Sequence, residues 1–503
     1  MTQPPPPPGE SARAPRRRIV SGLAIAIPGA VVVGGLAYVN AAGPAPEAAT
    51  PELSATPDPA LAEHEAAKDE YLAAVSGTPV GEGAPNVLLV YYDDLGYGDL
   101  GFMGDTPIET PNLDALAEDG VILTNFHAPA AVCTPSRAAL LTGRLAPRAG
   151  VPDVLFPSDG PYADLNEGAT GLGQEEITLP EVLGAAGYDT AMIGKWHLGD
   201  TAGHLPNDLG FGSFLGSLYS NDMSPFKVYR DGEVEIEDVD QSTVDALYTD
   251  EAVDVIDAAA QTGDPFFLYL APNSPHAPLS PAAENVGRSD AGAYGDVVEG
   301  LDDGIGRIVD ELDATGQLDN TIIIVTSDNG PWYQGSTGGA RGRKGEVEEG
   351  GMLVPFLVSW PDGIAGGRTL DAMTMGTDIL PTLLDWLDIA APTDRALDGT
   401  SMAPLLAGTS DTVGDFTYYY AGEQLLAVSD GRYKYYPEQP YVDVTSGTSD
   451  VSVTQQGPWL FDLEADPGEA YDVLALHPED AAALAAELER RNAEMESNPR
   501  GWS

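Results

Sequence analysis

The most informative stretch for the architecture is NVLLVYYDD at residues 86–94, a short apolar run followed directly by Asp93 and Asp94. The run is as long as one strand and lacks polar alternation, which is typical of a strand buried on both faces. Segments 189–193, 265–270 and 321–326 have the same form. Longer helical segments separate these runs, so the sequence predicts an α/β fold with a large, mainly parallel sheet sandwiched by helices.

The character of the chain changes after Pro392, where short strand-like segments replace the long alternation of strands and helices. Residues 425–429, 432–436 and 459–463 are typical of a small antiparallel sheet, and residues 478–496 are typical of a closing helix. We therefore expect a main domain over residues 85–391 and a smaller C-terminal subdomain over residues 392–503.

The N-terminal residues resemble an export signal rather than part of a fold. Three arginines, Arg16 to Arg18, precede an apolar run over residues 19–39, which is longer than an ordinary signal core and close to the length that spans a bilayer. Residues 1–42 are thus predicted to be a signal peptide or an N-terminal membrane anchor. Residues 43–84 form a linker with a short helix over 61–74. The predicted location is extracellular, or attached to the outer face of the cytoplasmic membrane.

The charge of the chain limits its partners. The 503 residues include 79 acidic and 23 basic side chains, for a formal net charge of -56. This charge argues against binding of nucleic acid or anionic lipid. An anionic substrate would be repelled as well, so a site for one must concentrate the scarce cations locally.

Oxygen ligands follow two of the predicted strands. Asp93 and Asp94 end the first, and Ser327, Asp328 and Asn329 end the strand that begins at Thr321. Polar residues at the carboxyl ends of parallel strands meet at one edge of the sheet. Three carboxylates and an amide there would select Ca²⁺ or Mg²⁺ over zinc. The alternative is that these residues only cap helices and form turns.

Several cationic and imidazole side chains follow strands in the same way. Lys195 and His197 come after the strand at 189–193, and His276 comes after the strand at 265–270. A third group clusters within four positions: Arg341, Arg343 and Lys344. The cluster can be a solvated loop, but it can also attract an anion to the carboxyl edge.

Cys133 is the only cysteine, so it cannot form an internal disulfide. It heads the run CTPSRAALLTGR, residues 133–144, in which Pro135 is typical of a helix start that would aim its positive end at an anion. This run resembles the signature of the type I sulfatases, which have an alkaline-phosphatase-like fold. In that family the cysteine is oxidised by a separate formylglycine-generating enzyme to formylglycine, an aldehyde whose hydrate attacks sulfur.

The resemblance extends over about residues 85–474 and implies a role for each matching residue. The implied calcium ligands are Asp93, Asp94, Asp328 and Asn329, with the modified Cys133 completing the shell and Mg²⁺ as the second choice of ion. Arg137 matches the arginine that holds the aldehyde hydrate, and Ser220 matches a serine that hydrogen-bonds near it. Sulfate binding and proton transfer are implied for Lys195, His197, His276 and Lys344.

The implied function is hydrolysis of sulfate monoesters of a small molecule or a glycan, with residues 85–391 as the catalytic domain. One departure from the family concerns its Glu-Gly-Gly-x-Arg pattern, because Leu353 stands here where the arginine is usual. The missing arginine weakens the expectation of a structural ion pair at Glu349.

Other functions stay open on the sequence. The same nucleophile could hydrolyse phosphate diesters or phosphonate monoesters, since tetrahedral phosphate makes similar demands on a site. A further alternative is a protein without catalytic activity that binds sulfated glycans, with Cys133 left as a thiol. A cysteine phosphatase is disfavoured because Ala139 occupies the position, six residues after the cysteine, where that chemistry needs an arginine. Loops 145–178 and 201–243 are expected to select the substrate.

Overall fold

The computed structural model describes residues 59–81, 83–224, 226–443 and 452–503. The predicted signal peptide or anchor at 1–42, and the linker up to residue 58, lie outside the described residues. None of the described helices combines the length and the apolar character needed to cross a bilayer.

The α-helices of the described chain are α1 (Pro59–Ser76), α2 (Pro111–Glu118), α3 (Cys133–Thr142), α4 (Ala146–Ala149), α5 (Leu179–Ala185), α6 (Val244–Thr262), α7 (Gly292–Ala314), α8 (Glu349–Met352), α9 (Ile379–Trp386), α10 (Ala403–Leu406) and α11 (Pro478–Ser497). The helix predicted at 61–74 is α1, which is two residues longer at each end and packs against α5.

The strands of the main body are β1 (Asn86–Tyr92), β2 (Val121–Leu123), β3 (Phe126–His127), β4 (Asp189–Lys195), β5 (Ser213–Ser217), β6 (Val228–Arg230), β7 (Glu233–Ile236), β8 (Phe266–Ala271), β9 (Thr321–Ser327), β10 (Leu357–Ser359), β11 (Arg368–Leu370) and β12 (Thr374–Met375). The C-terminal strands are β13 (Thr417–Ala421), β14 (Gln424–Ser429), β15 (Tyr433–Tyr436), β16 (Gln439–Asp443), β17 (Ser452–Gln456) and β18 (Trp459–Asp462).

Ten strands form one sheet in the order β11-β2-β10-β9-β1-β8-β4-β5-β6-β7. Its centre, β9-β1-β8-β4-β5, is entirely parallel, and antiparallel pairs occur only towards its two edges. The predicted mainly parallel sheet is therefore confirmed. All four strands predicted as its buried elements lie side by side at the centre.

The apolar run of β1 is buried because helices cover both faces of the sheet. Val87, Leu89 and Tyr91 pack in a cluster with residues of α3, α5 and α9. The alternate residues Leu88 and Val90 pack in a second cluster with residues of α2, α6 and α7. Each fully buried side chain of this size contributes about 1.5 to 3 kcal/mol, which explains why these strands lack polar positions.

The predicted small antiparallel sheet is also confirmed. It has the order β13-β14-β15-β18, and α11 packs on β14 and β15. Strand β13 was not among the predicted strands, because its Thr-Tyr-Tyr-Tyr sequence shows no alternation of polar and apolar residues. The division into domains at residues 85–391 and 392–503 stays a prediction.

Glu349 is a buried link between the main body and the small sheet. Its carboxylate pairs with Lys434 Nζ of β15 at 2.9 Å and with His127 Nε2 of β3 at 2.8 Å, and it accepts a hydrogen bond from Tyr419 Oη at 3.0 Å. Glu349 therefore does form a structural ion pair, and the doubt raised by the missing arginine is wrong. The cation is supplied from residue 434, far along the chain, instead of from position 353.

Replacement of this carboxylate should destabilise the protein in a pH-dependent way. Burial alone would raise the pKa of Glu349, but Lys434 and His127 together hold it well below its usual value. A group whose pKa is lowered by folding stabilises the folded state above its unfolded pKa and loses that effect as the pH falls. Glu349→Gln should therefore lower the free energy of unfolding by about 3 kcal/mol at pH 7.

The difference in free energy of unfolding between wild type and variant should become smaller as the pH falls below 4.5, the usual pKa of a Glu side chain. Urea unfolding followed by circular dichroism at several pH values measures it. The control is Glu237→Gln, which removes a pair with Lys227 on an exposed side chain and should change stability by less than about 1 kcal/mol. A difference that does not vary between pH 7 and the acid range would contradict the prediction.

Candidate active site

The register between β1 and β9 brings the expected oxygen ligands together. Tyr92 lies opposite Ser327, so Asp93 and Asp94 emerge beside Asp328 and Asn329. The Asp94 amide donates to Asp328 Oδ1 at 3.2 Å, and Asn329 Nδ2 donates to Asp94 Oδ1 at 2.7 Å. All four side chains are buried.

This group fits a hard divalent cation. Asn329 Oδ1 is buried and has no hydrogen-bond partner, which is costly unless something else binds it. Possible metal-ligand atoms of Asp93, Asp328 and Cys133 lie within 4.8 Å of one another, and so do those of Asp93, Asp94 and His276. Carboxylate oxygens together with an unpaired amide oxygen are the ligands that Ca²⁺ and Mg²⁺ prefer.

Cys133 is the first residue of α3, and its sulfur faces this oxygen group. Its Sγ lies 3.6 Å from Asp93 Oδ1 and 3.3 Å from Lys344 Nζ. Burial raises the pKa of Cys133 to about 12, although Lys195 and Lys344 act in the opposite direction. The side chain is therefore a protonated thiol near neutral pH, and in this form it is a poor nucleophile.

Arg137 lies one turn further along α3 and ties this helix to two strands of the sheet. Its Nη2 and Nε donate to Asp328 Oδ2 at 2.8 and 3.1 Å, and its Nη1 donates to the Lys195 carbonyl at 2.8 Å. The guanidinium thus makes a forked contact with a carboxylate of the protein. Its implied contact with an aldehyde hydrate stays a prediction.

Lys195 is the last residue of β4, and the structure therefore extends the strand predicted at 189–193. Its fully buried Nζ lies 2.6 Å from Asp93 Oδ2 and 3.2 Å from Ser220 Oγ. Burial would lower the pKa of Lys195, but Asp93 leaves it raised. Burial would likewise raise the pKa of Asp93, but Lys195 and the other nearby cations hold it well below its usual range.

His276 and Ser220 lie next to each other, beside Asp94 and Lys195. His276 Nε2 is 3.4 Å from Ser220 Oγ and 3.7 Å from Asp94 Oδ2. The other ring nitrogen, Nδ1, lies 3.0 Å from Asn221 Oδ1 and 2.6 Å from the Ala277 carbonyl. Since both of these atoms accept hydrogen bonds, Nδ1 carries a proton, and Nε2 is directed towards the site.

His197 has the opposite arrangement. Its Nε2 lies 2.9 Å from the Leu155 carbonyl, which can only accept, so this nitrogen carries the proton. Its Nδ1 is buried and has no hydrogen-bond partner. Burial and the nearby charge of Lys195 lower the pKa of His197 well below its usual value. The ring is neutral near pH 7 and offers Nδ1 as a proton acceptor.

Of the basic cluster at residues 341–344, Lys344 reaches the group and the two arginines do not. Lys344 Nζ lies 2.7 Å from Asp94 Oδ1. Arg343 donates to the backbone carbonyls of its own loop at Trp332 and Gly335, and Arg341 donates to the Glu469 carbonyl. These arginines hold the loop in place, a role that sequence clustering alone does not distinguish from anion binding.

Two partners of the site histidines were not predicted. Asn221 immediately follows Ser220, and its contact with His276 could have been sought at that adjacent position. The Leu155 carbonyl belongs to the backbone of a distant loop and leaves no signal in the sequence. All the predicted site residues nevertheless lie in one connected group around Asp93, Asp94 and Cys133, with His197 joined to it through Thr134, whose Oγ1 donates to the His197 carbonyl.

The charges of this group are balanced in a way that suits an anion. Three carboxylates, Asp93, Asp94 and Asp328, face three permanent cations, Arg137, Lys195 and Lys344. A divalent cation bound to the oxygen ligands would leave an excess of positive charge. The fold and the site are therefore suited to bind an anionic ester beside a divalent cation.

Comparison with known proteins identifies the family. The sequence model described as Sulfatase matches residues 85–389, and the model described as N-sulphoglucosamine sulphohydrolase, C-terminal, matches residues 344–498. The chain belongs to the sulfatase family, whose alkaline-phosphatase-like architecture agrees with the mainly parallel sheet described above.

The similarity covers most of the chain. Arylsulfatase A of Bos taurus is 36% identical over 78% of this chain and 83% of its own length. N-acetylgalactosamine-6-sulfatase of Mus musculus is 34% identical over 79% of this chain and 83% of its own length. The crystal structure of the PsFucS1 sulfatase from Pseudoalteromonas sp. superposes with a TM-score of 0.73 at 29% identity, covering 88% of this chain and 96% of that one. The protein is an enzyme that hydrolyses sulfate esters.

Proposed function

We propose that the protein hydrolyses sulfate monoesters with a nucleophile made from Cys133 and a divalent cation, Ca²⁺ in preference to Mg²⁺. The cation would be held by Asp93, Asp94, Asp328 and Asn329, with the modified side chain at position 133. The observation that carries the proposal is the position of Cys133 Sγ, between Lys344 Nζ at 3.3 Å and Asp93 Oδ1 at 3.6 Å. A reactive group formed there faces both the ligands of the cation and a lysine able to bind sulfate.

The modified side chain and the cation would each supply one part of the chemistry. A formylglycine hydrate formed from Cys133 would supply the nucleophilic hydroxyl and the means of releasing sulfate afterwards. A divalent cation held by the oxygen ligands would stabilise negative charge on the sulfate. The remaining tasks are to bind the ester, orient it and move protons, and these tasks belong to side chains of the chain itself.

Sulfate binding is assigned to Lys195, Lys344 and Ser220. Lys195 Nζ donates to Ser220 Oγ at 3.2 Å, so the lysine orients the hydroxyl while Asp93 fixes the lysine. Lys344 belongs to a separate loop, and its Nζ lies 3.3 Å from Cys133 Sγ. Two point-charge donors from separate elements can hold a tetrahedral anion without requiring the planar fork of an arginine.

Proton transfer is assigned to the two histidines. His276 Nε2 faces the site and, assisted by Lys344, would protonate the departing alcohol. Burial lowers the pKa of His276, and Lys344 lowers it further. An anionic sulfate beside the ring stabilises the imidazolium and opposes both effects. His197, whose Nδ1 has a free lone pair, would accept the proton that is released when sulfate is expelled.

The likeness to the two curated relatives favours aryl sulfates and sulfated sugars as substrates. Loops 145–178 and 201–243 are proposed to select among them. The N-terminal segment favours export, with the enzyme extracellular or held at the outer face of the cytoplasmic membrane. Activity also requires a formylglycine-generating enzyme as a partner during maturation.

The modification of Cys133 can be tested by mass spectrometry on protein from its native host. The peptide that contains residue 133 should be lighter than its unmodified sequence, because oxidation to the aldehyde exchanges sulfur for oxygen. Cys133→Ala should reduce turnover of aryl sulfates to background while retaining the folded circular dichroism spectrum. An unmodified peptide in a fully active enzyme would contradict the proposed nucleophile. An unmodified peptide without turnover would favour the alternative of a sulfated-glycan-binding protein.

The cation can be tested by a readout that does not depend on activity. Ca²⁺ should raise the melting temperature, because a ligand that binds only the folded state stabilises it. Asn329→Ala removes the unpaired oxygen and the hydrogen bond to Asp94. It should therefore lower the affinity for Ca²⁺ by at least about 10-fold, as measured from the melting temperature at increasing Ca²⁺ concentrations. Asn112→Ala is the matched control, since Asn112 also donates to a carboxylate, Asp302, but on α2. An equal Ca²⁺ response in both variants would contradict the assigned ligands.

A paired assay distinguishes sulfate esters from the alternative substrates. The enzyme should hydrolyse 4-nitrophenyl sulfate with a larger kcat/KM than bis(4-nitrophenyl) phosphate. Both esters are monoanions, but only the sulfate monoester offers three non-bridging oxygens to the cation, Lys195 and Lys344. The same enzyme batch and the Cys133→Ala variant serve as internal controls. A larger kcat/KM for the diester would instead favour a phosphodiesterase that uses the same nucleophile.

A further inference from the structure

The loop that carries Lys344 is attached to the active site on one side and to the small C-terminal sheet on the other. On the site side, the Lys344 amide donates to the Pro331 carbonyl at 3.1 Å, and the Gly345 amide donates to the Ala131 carbonyl at 2.8 Å. Ala131 lies two residues before Cys133. These two hydrogen bonds fix the position of the loop relative to Cys133.

The other attachment comes from Lys434 of β15. Its Nζ donates to the Val347 carbonyl at 2.7 Å, three residues beyond Lys344, and pairs with Glu349 Oε1 at 2.9 Å. The ammonium also lies 3.7 Å from the centroid of the Tyr419 ring, and the lysine is fully buried. A buried cation with this many partners has one arrangement, so it fixes the loop segment that it contacts.

Glu469 adds a second attachment from the C-terminal part of the chain. Its Oε2 accepts from the Glu349 amide at 2.8 Å, and its backbone carbonyl accepts from Arg341 at 3.0 Å. Its Oε1 lies 3.3 Å from Lys434 Nζ. The two residues that flank the loop, Arg341 and Glu349, are thus both held by Glu469.

The apolar contacts point the same way. Val347 and Met352, which follow Lys344 in the chain, are buried in the hydrophobic cluster of the C-terminal sheet together with Tyr419 and Tyr436. The loop therefore packs against the small sheet, although Lys344 contacts residues at the carboxyl edge of the large sheet.

We infer that Lys434 is a positioning residue for the reaction, which acts by holding Lys344 against Cys133 and Asp94. The small sheet then completes the active site through a loop of the main body, without touching the substrate. This inference rests on the proposed role of Lys344 in sulfate binding and leaving-group protonation. It gives the C-terminal sheet a part in catalysis.

A double-mutant cycle with two aryl sulfates tests the inference. Phenyl sulfate has a poor leaving group and needs protonation, whereas 4-nitrophenyl sulfate has a good one. Lys344→Ala should lower kcat on phenyl sulfate by about 100-fold and affect 4-nitrophenyl sulfate less. Lys434→Met should show the same selective loss, by about 10-fold. In the Lys344→Ala background, Lys434→Met should cause no further loss of kcat, because both changes remove the same contribution of Lys344.

A general loss of stability gives a different pattern. Arg491→Met is the matched control: Arg491 is a buried cation of α11 that pairs with Asp398 and Glu494, and its effect should be equal on both substrates and additive with Lys344→Ala. If Lys434→Met does not fold, Glu469→Gln replaces it. Glu469 accepts from the Glu349 amide and from Tyr436 Oη, and the change removes one of these two acceptors. Lys434 keeps its pair with Glu349, so no buried charge is stranded, and the variant should give the same selective, non-additive loss.

The outcomes separate the inference from the function on which it rests. A selective effect of Lys344→Ala with an additive or unselective effect of the Lys434 or Glu469 variant would overturn the positioning role alone. The absence of any selective effect in Lys344→Ala would overturn the proposed part of Lys344 in leaving-group protonation, and the positioning inference with it.

Discussion

The burial of Asp93 is the constraint on which the rest of the site depends. A carboxylate removed from water is strongly unfavourable unless cations surround it. Here Lys195 lies 2.6 Å away, and the guanidinium of Arg137, forked onto Asp328, lies 4.0 Å away. These partners come from β4 and α3, so the same ion pairs that neutralise Asp93 also fix Cys133 relative to the sheet. The contacts that compensate the buried charge of Asp93 are thus the same contacts that place Cys133.

The net charge of -56 makes this local arrangement more informative. Several of the arginines are buried in pairs remote from the oxygen ligands, such as Arg144 with Glu176 and Arg148 with Asp398. These cations are neutralised where they lie and add little attraction for an anion. The attraction must therefore come from the few cations at the carboxyl edge of the sheet, which act at short range in a buried setting where salt screens them weakly.

The sequence predicts what depends on local pattern and not what depends on distant pairing. The central strands were predictable because their apolar runs are buried on both faces, and the ligands were predictable because Asp93 and Asp328 directly follow such runs. The contact of Glu349 with Lys434 joins positions 85 residues apart, and no spacing rule indicates it. The orientation of His197 by the Leu155 carbonyl was equally inaccessible, because every residue has a carbonyl and only the folded chain selects one.

Backbone geometry explains why two strands deliver their functional residues in the same way. Asp94 and His197 each stand two residues after the end of a strand, β1 or β4, and each has a positive φ, 66° and 61°. A non-glycine residue in this region costs roughly 1 to 3 kcal/mol and persists only where the surroundings determine it. The left-handed residue turns the chain back over the sheet edge instead of letting it leave in the strand direction. The Asp94 amide consequently reaches Asp328, and the His197 carbonyl reaches Thr134 beside Cys133. The strain is thus offset by the same contacts that assemble the site, which ties the geometry of the two turns to the chemistry at the carboxyl edge.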